Sequence, residues 1–255
     1  MAIRKGTPLR AWFEALHRTW GPQGWWPGRT RFEIIVGAIL TQGVAWTNVE
    51  TAIGALRRAR LLDPARLLAA APGAIARCVR PAGYFNQKAR RLLEFAANLR
   101  DRHGGRVDRL FQAPTGALRR LLLGLPGIGP ETADSILLYA GGRPVFVIDA
   151  YTRRILARHG AATGLEPYDT LRAGFESVLP ADPRLYNEFH ALIVRAGKEH
   201  CGRRAPRCSG CPLEPFLPAG GPVTFHAPDR RPERRPNRAL RRPVRRTAPG
   251  RARRD

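Results

Sequence analysis

The sequence lacks long apolar runs and has few cysteines, and both shortages exclude whole classes of protein. No stretch of about 20 apolar residues, the length that crosses a bilayer, occurs in its 255 residues. The first residues mix polar and apolar types, unlike a signal peptide. Four cysteines, three of them clustered late in the chain, suggest a metal or cluster site in a reducing compartment rather than a disulfide framework. We therefore predict a cytoplasmic protein with no membrane partner.

Lysine is also scarce, although the chain is strongly basic. Only three lysines occur, at positions 5, 88 and 198, yet the formal net charge is +24 and the isoelectric point is about 11.6. Such a balance favours an anionic partner, and nucleic acid ranks ahead of a membrane surface. The forked guanidinium group of arginine suits phosphate. A GC-rich genome, which favours arginine codons, would also explain the abundance of arginine. The charge alone is therefore modest support for a nucleoid-associated protein.

The alternation typical of strands is missing, and apolar residues recur instead at helical spacing. Helices are predicted over 8–20, 31–40, 47–58, 64–70, 72–79, 87–103, 118–123, 151–159, 169–179 and 184–200. The expected fold class is all-α. From residue 218 the chain becomes rich in arginine and proline, so we predict that 218–255 is disordered. This tail is either a DNA tether or dispensable.

One stretch, residues 125–149, carries the strongest chemical signal. Its sequence is LPGIGPETADSILLYAGGRPVFVID. The Pro-Gly-Ile-Gly segment predicts a tight turn, and Pro130 suits the first position of a helix. Exposed N–H groups at such a turn suit a phosphate. Asp149 follows a short apolar run, where a carboxylate suits a helix N-cap.

This stretch resembles the helix-hairpin-helix and Gly/Pro-Asp signature of the endonuclease III superfamily of DNA glycosylases, over roughly residues 32–211. The resemblance implies two helical lobes, 30–140 and 1–29 plus 141–217, with a DNA-binding cleft between them. It makes Asp149 the catalytic carboxylate, whose alternative role is plain N-capping. The implied phosphate-binding residues are Gly127, Ile128, Gly129 and Thr132.

Position 131 departs from the bifunctional members of that family. They carry a lysine there, whose amine forms the Schiff base that permits strand cleavage, whereas this chain has Glu131. A glutamate cannot form an imine. The branch of the family with glutamate here removes 3-methylated adenine without cutting the strand. Glu131 is predicted to orient a water or to contact the base or sugar, unless it only interacts with the positive helix end.

Aromatic residues and one glutamine complete the expected base pocket. Gln42 matches the family position whose polar side chain enters the gap left by a flipped nucleotide; otherwise it is a turn residue. Trp25, Trp26 and Trp46 are either core residues or rings on which an alkylated, cationic base stacks. These aromatics agree with the missing lysine in favouring removal of an alkylated purine.

The late cysteines form a further candidate site. Cys201, Cys208 and Cys211 match the first three ligands of the family's [4Fe–4S] loop, and thiolates at this spacing suit a cluster. The fourth ligand would fall at position 217, which is Leu217. The open alternatives are a three-cysteine cluster with another fourth ligand, a zinc ion, or no metal.

The resemblance and the residues together predict a monofunctional DNA glycosylase of base excision repair. We expect it to act as a monomer on double-stranded DNA that contains a damaged base such as 3-methyladenine. Two rivals remain at this point: a glycosylase/AP lyase for oxidised pyrimidines, and a non-catalytic DNA-binding hairpin protein.

Overall fold

A computed structural model describes residues 3–225 and confirms the all-α prediction, because these residues form helices and no strand. The twelve α-helices of this part of the chain are α1 (Leu9–Trp20), α2 (Arg31–Leu40), α3 (Trp46–Arg58), α4 (Pro64–Ala69), α5 (Pro72–Val79), α6 (Phe85–His103), α7 (Val107–Leu110), α8 (Thr115–Leu123), α9 (Pro130–Ser135), α10 (Ala150–Arg158), α11 (Tyr168–Glu176) and α12 (Pro183–Glu199).

Several helix starts follow directly from local sequence. Thr30, Asp63 and Asp182 precede α2, α4 and α12, and each side chain accepts a hydrogen bond from a backbone N–H in the first turn. Such caps satisfy donors that a helix leaves unpaired. Helices α4 and α12 also place a proline at their first position, where its missing N–H is tolerated. Local chemistry therefore sets these boundaries.

The apolar residues form two separate cores. The first core combines α2 to α8 with the hairpin, and its buried members run from Phe32 to Val145. The second combines α1 with α10, α11 and α12, and it includes Leu9, Trp12 and Leu16. Helix α1 packs against α12. The N-terminal helix therefore belongs with the C-terminal half of the described chain.

A wide helical turn joins the two cores. Residues Ile136–Ala140 continue α9 as a π-helix, and all five are buried. Ile136, Leu137 and Ala140 belong to the first core, whereas Leu138 and Tyr139 belong to the second. Turns of this type are often found at functional sites. Here the π turn directs Tyr139 toward α12, where its hydroxyl contacts His190.

A buried ionic network also connects the cores. The Asp134 carboxylate on α9 is fully buried and accepts two hydrogen bonds from the Arg119 guanidinium of α8, at 2.7 and 3.1 Å. Arg119 also donates to Asp169 on α11 at 2.6 Å. Burial raises the pKa of Asp134, while Arg119 opposes this shift. Removing Arg119 would leave the buried Asp134 charge without compensation, which destabilises a folded protein.

The structure describes the first eight residues of the predicted disordered tail. Residues 218–225 lie against the folded body, because the Val223 N–H donates to the Arg158 carbonyl at 2.9 Å. The remainder of that prediction, residues 226–255, lies outside the described residues. Within residues 3–225, no helix combines the length and apolarity needed to cross a membrane.

Candidate active site

A cleft between the two cores gathers most of the predicted site residues. It is open to solvent and has a cavity volume of about 130 Å³. The predicted residues that line it are Trp25, Trp26, Gln42, Trp46, Glu131, Thr132 and Asp149. Ten further residues that line the cleft were not predicted from the sequence, among them Ser135, Tyr151, His190 and Lys198.

Asp149 lies on the cleft wall in a fixed orientation. The apolar run before it, residues 145–148, is extended and held by side chains: the Phe146 N–H donates to Glu176 and the Ile148 N–H to the Tyr168 hydroxyl. Asp149 then caps α10, and its Oδ1 accepts from the N–H and the hydroxyl of Thr152 at 2.7 and 2.9 Å. Its side chain is 14% exposed. Capping and a role in the cleft therefore coexist, because the cap occupies only one carboxylate oxygen.

The second oxygen of Asp149 faces His190. The distance from His190 Nε2 to Asp149 Oδ2 is 3.8 Å, and Nε2 has no hydrogen-bond partner within the described residues. The other ring nitrogen, Nδ1, lies 2.5 Å from the Tyr139 hydroxyl. Burial lowers the pKa of His190, and the Asp149 charge opposes this. His190 is therefore a buried histidine beside the Asp149 carboxylate.

The three tryptophans form one aromatic wall. The Trp26 and Trp46 ring centroids are 4.8 Å apart and nearly perpendicular, and Trp25 lies 5.6 Å from Trp26 and 5.9 Å from Trp46. Trp26 also approaches a glycine of α2, Gly37, where a Cβ would come within 3.2 Å of the indole. All three rings are partly exposed. Packing and an open aromatic face are therefore both present.

Gln42 is bound to the hairpin. Its Nε2 donates to the Gly127 carbonyl and to the Thr132 hydroxyl, both at 2.9 Å, and its Oε1 accepts from Arg91. The structure thus shows Gln42 joining the loop after α2 to the hairpin turn. Entry of its side chain into a gap in DNA requires these bonds to be exchanged, so that role stays a prediction.

The hairpin turn needs glycine at one position rather than two. Gly127 has a φ of 76°, and a Cβ there would meet Arg91 Nε at 2.1 Å. Gly129 adopts an extended φ of −91° and precedes α9 as its N-cap residue. The Ile128 N–H donates to the Leu125 carbonyl, so its amide has a partner within the turn, and phosphate binding by this residue stays a prediction. The turn also has a guanidinium, Arg91, directly against it.

Thr132 is buried, with 6% of its surface exposed, and its hydroxyl accepts from Gln42. Thr132 nevertheless lines the cleft. Ile128 is also buried and anchors the turn in the first core. Phosphate binding by these two residues stays a prediction.

Two residues of opposite charge lie near the rim of the cleft. Glu131 is exposed in the first turn of α9, where a carboxylate interacts favourably with the positive end of a helix. The Lys198 ammonium lies 5.9 Å from the centre of the Trp25 ring. Lys198 is far from position 131 in sequence but shares its cleft. An amine is therefore present at the site despite Glu131.

Lys88 is buried, although the helix around it is rich in basic residues. It is only 1% exposed, and its Nζ donates to the carbonyls of Leu40, Gln42 and Ala82 at 2.8, 3.0 and 2.7 Å. Burial and the neighbouring Arg91 lower its pKa to about 8. Lys88 therefore fastens the end of α2 and the Gln42 loop to the turn before α6.

The cysteine loop contains three thiols around one cavity. Cys201, Cys208, Cys211 and Leu217 line it together, and the Arg158 guanidinium donates to the Cys201 sulfur at 3.2 Å. Burial raises the pKa of the Cys208 and Cys211 thiols. Over the described range, no three Cys, His, Asp or Glu side chains are arranged to hold a metal ion. The residues therefore do not complete a four-thiolate site, because Leu217 has no ligand atom.

Comparisons with known proteins agree with this architecture. Residues 36–181 match the model of the HhH-GPD superfamily of base excision DNA repair proteins. The "Putative DNA repair glycosylase MJ1434" of Methanocaldococcus jannaschii is 42% identical over 198 residues, which cover 77% of this chain and 90% of that protein. An endonuclease III of Thermotoga maritima is 28% identical over 72% of this chain and 80% of its own length.

Two solved structures are also similar. The Helicobacter pylori 3-methyladenine DNA glycosylase bound to 1,N6-ethenoadenine has a TM-score of 0.66 and 30% identity, and the match covers 75% of this chain and 95% of that one. A non-covalent endonuclease III–DNA complex has a TM-score of 0.69 at 21% identity, covering 83% and 94%. At that identity, the second match supports the fold alone.

Proposed function

Because the chain belongs to the HhH-GPD superfamily of base excision DNA repair proteins and is a DNA glycosylase of that family, we propose that it is a monofunctional enzyme for alkylated purines. Its substrate is double-stranded DNA with a damaged base such as 3-methyladenine, and it works as a cytoplasmic, nucleoid-associated monomer. One observation carries the proposal: three tryptophans and the Asp149 carboxylate line the same cleft.

The carboxylate suits hydrolysis of an N-glycosidic bond. As the base departs, positive charge develops on the sugar, as in glycoside hydrolysis. A fixed carboxylate in a partly buried cleft stabilises that charge more strongly than water does. Asp149 has one oxygen held by Thr152, which leaves Oδ2 to face the sugar or an attacking water. Access to the bond requires the nucleotide to leave the duplex.

The aromatic wall favours a cationic base. An alkylated purine with a positive charge is attracted to the faces of electron-rich rings, and tryptophan is the strongest of these. Such a base is also a good leaving group, so little acid catalysis is needed. The known activity of the 30%-identical Helicobacter pylori protein, a 3-methyladenine DNA glycosylase, supports the same substrate class. Glu131 would then contact the base or orient a water.

The central test compares two capping aspartates. Asp149→Asn retains an N-cap acceptor but removes the charge, so we expect base release from methylated duplex DNA to fall by about 10²–10³-fold. Asp63→Asn is the matched control, because Asp63 caps α4 in the same way and does not line the cleft. Similar losses in both variants would show that capping, not chemistry, explains the effect.

The substrate class needs a panel of duplexes. DNA containing 3-methyladenine, oxidised pyrimidine, or thymine opposite guanine is incubated with the wild-type protein, and the freed base is identified. We expect release of the methylated purine. Release of oxidised pyrimidine alone would support the endonuclease III-like rival. If the protein binds these duplexes but frees no base, the non-catalytic DNA-binding rival is correct.

The absence of lyase activity needs its own test, because Lys198 shares the cleft. Borohydride reduces an imine between a lysine and an abasic sugar to a stable covalent adduct. We expect no adduct with wild-type protein, since position 131 is a glutamate. An adduct that disappears in Lys198→Met would replace the monofunctional proposal with a lyase that uses Lys198.

A structural [4Fe–4S] cluster held by Cys201, Cys208 and Cys211 remains a separate hypothesis. Three thiols line one cavity, and thiolates of this kind are cluster ligands. No step of the proposed reaction depends on it.

A further inference from the structure

The molecule contains a buried histidine, His190, whose Nε2 has no hydrogen-bond partner among the described residues and lies beside the proposed catalytic carboxylate of Asp149. His190 is 5% exposed. A buried polar atom without a partner is energetically unfavourable. His190 lines the cleft from α12, and its buried Nε2 is 3.8 Å from Asp149 Oδ2. This nitrogen therefore faces the carboxylate to which the proposed function assigns catalysis.

The partner on the other side of the ring determines which nitrogen carries the proton. The Tyr139 hydroxyl lies 2.5 Å from Nδ1. Burial, together with the Asp149 charge, raises the pKa of Tyr139 well above its usual value, so the hydroxyl keeps its proton. Burial lowers the pKa of His190, so its ring is neutral near pH 7. A neutral ring that accepts at Nδ1 must carry its hydrogen on Nε2.

We propose that Tyr139 and His190 are a positioning pair for Asp149: the hydroxyl donates to Nδ1, and the Nε2–H holds the attacking water against Asp149 Oδ2. The separation of 3.8 Å is too long for a direct hydrogen bond, but a water on the cleft side can accept from Nε2–H and donate to Oδ2. This inference rests on the proposed glycosylase function and adds the residues that orient its nucleophile.

The step balances without a proton from histidine. The water oxygen bonds to the sugar carbon C1′ while the bond from C1′ to the base nitrogen breaks. The electron pair of that bond goes to the cationic purine, which leaves neutral, and the proton of the water goes to Asp149. His190 remains neutral throughout. It touches the water and not the reacting sugar, and Tyr139 acts only through His190.

The contact between Tyr139 and His190 depends on two elements of the fold that are far apart in sequence. Tyr139 lies in the π turn that joins the two cores, and His190 lies in the middle of α12. The ring of Tyr139 also packs against Trp26 at 4.8 Å. Tyr139 therefore contacts both the proposed base-stacking tryptophans and His190.

The kinetic test uses two substitutions of His190. His190→Phe keeps a planar ring without a donor, whereas His190→Gln places an amide N–H near the position of Nε2. Under single-turnover conditions with methylated duplex DNA, we expect His190→Phe to slow base release at least tenfold with the Kd for DNA within twofold of wild type. His190→Gln should remain within about threefold of wild type, because the donor is restored.

Two outcomes would overturn the pairing. One is base release by a folded His190→Phe variant at the wild-type rate. The other is equal slowing in the Gln and Phe variants when both have the wild-type Tm, since a missing donor would then not explain the loss. Tyr139→Phe should slow release less than His190→Phe does, because neutral His190 then divides its proton between two nitrogens.

A spectroscopic test does not need any enzymatic activity. Nitrogen-15 NMR of histidine-labelled protein distinguishes the two neutral tautomers, and the His190→Gln spectrum assigns the signal. We expect the Nε2–H form in wild type and a mixture in Tyr139→Phe. An Nδ1–H form would refute the pairing even if base release occurs. Conversely, an Nε2–H form in a protein that frees no base would leave the geometry intact and refute the glycosylase function.

Discussion

Replacing Lys88 by methionine tests how the cleft is held together. At pH 7 the ammonium donates to three carbonyls, two of them in fully buried bonds. Each buried carbonyl that loses its donor costs about 1–3 kcal/mol. Methionine has similar length and recovers part of this through apolar packing. We expect a net loss of about 2–4 kcal/mol in the free energy of unfolding, which lowers the Tm by roughly 4–16 °C.

Urea unfolding followed by circular dichroism measures this change, and Lys5→Met is the matched control because Lys5 is exposed. The control should differ from wild type by no more than about 0.5 kcal/mol. If Lys88→Met is equally mild, the three carbonyls do not depend on the lysine and the reasoning is refuted. Base release by Lys88→Met should also be slower than that of the control, measured under conditions in which both variants are folded, because the Gln42 loop lines the cleft.

The same lysine predicts a dependence on alkaline pH. Burial, assisted by Arg91, lowers the pKa of folded Lys88 from 10.5 to about 8. Between these values the unfolded chain retains a proton that the folded protein has released. The free energy of unfolding therefore gains a term that increases with pH across this window, by at most about 1.4 kcal/mol per pH unit. Lys88→Met should lack that term, and an identical pH profile in both proteins would contradict it.

Three further predictions concern the hairpin, the ionic network and the cysteine loop. Gln42→Ala removes the hydrogen bonds that join its loop to the hairpin. A loss of about 1 kcal/mol in binding free energy should weaken DNA binding roughly fivefold in a fluorescence anisotropy titration. Unchanged affinity would contradict this. Arg119→Met leaves the buried Asp134 without its bidentate partner and should reduce the free energy of unfolding by about 3–5 kcal/mol in urea, and a loss below 1 kcal/mol would show that the pair is not needed. If the loop holds a cluster, protein purified without oxygen should contain iron and sulfide, Cys208→Ser should lose both and Cys78→Ser should retain them; iron-free protein with full activity would exclude the cluster.

The sequence predicted the helices well because their signals are local. The helix predicted over 64–70 begins at Pro64 in the structure, where the Asp63 cap and the proline both act within one turn. The hairpin and Asp149 were also recognised from a single short stretch. Each of these features is decided by residues fewer than about ten positions apart, so the spacing of residues carries the information.

The features that sequence reasoning missed depend on residues far apart in the chain. Nothing near Lys88 in the sequence indicates that it binds the carbonyls of Leu40 and Gln42, which lie 46 to 48 positions earlier. The pairing of His190 with Tyr139 spans 51 positions. The local signal for this pairing is weak: His190 lies in the middle of α12, and Lys198, which lines the same cleft, follows eight residues later.

The division of the second core between the two ends of the described chain has a consequence for synthesis on the ribosome. Helix α1 emerges early, but its packing partner α12 leaves the exit tunnel only after some 160 more residues have been made. At 5–20 residues per second, roughly 10–30 s pass while the apolar face of α1 has no native partner. The nascent chain can complete the core of α2 to α8 in that interval, whereas the half that carries Asp149 must wait for translation to approach its end.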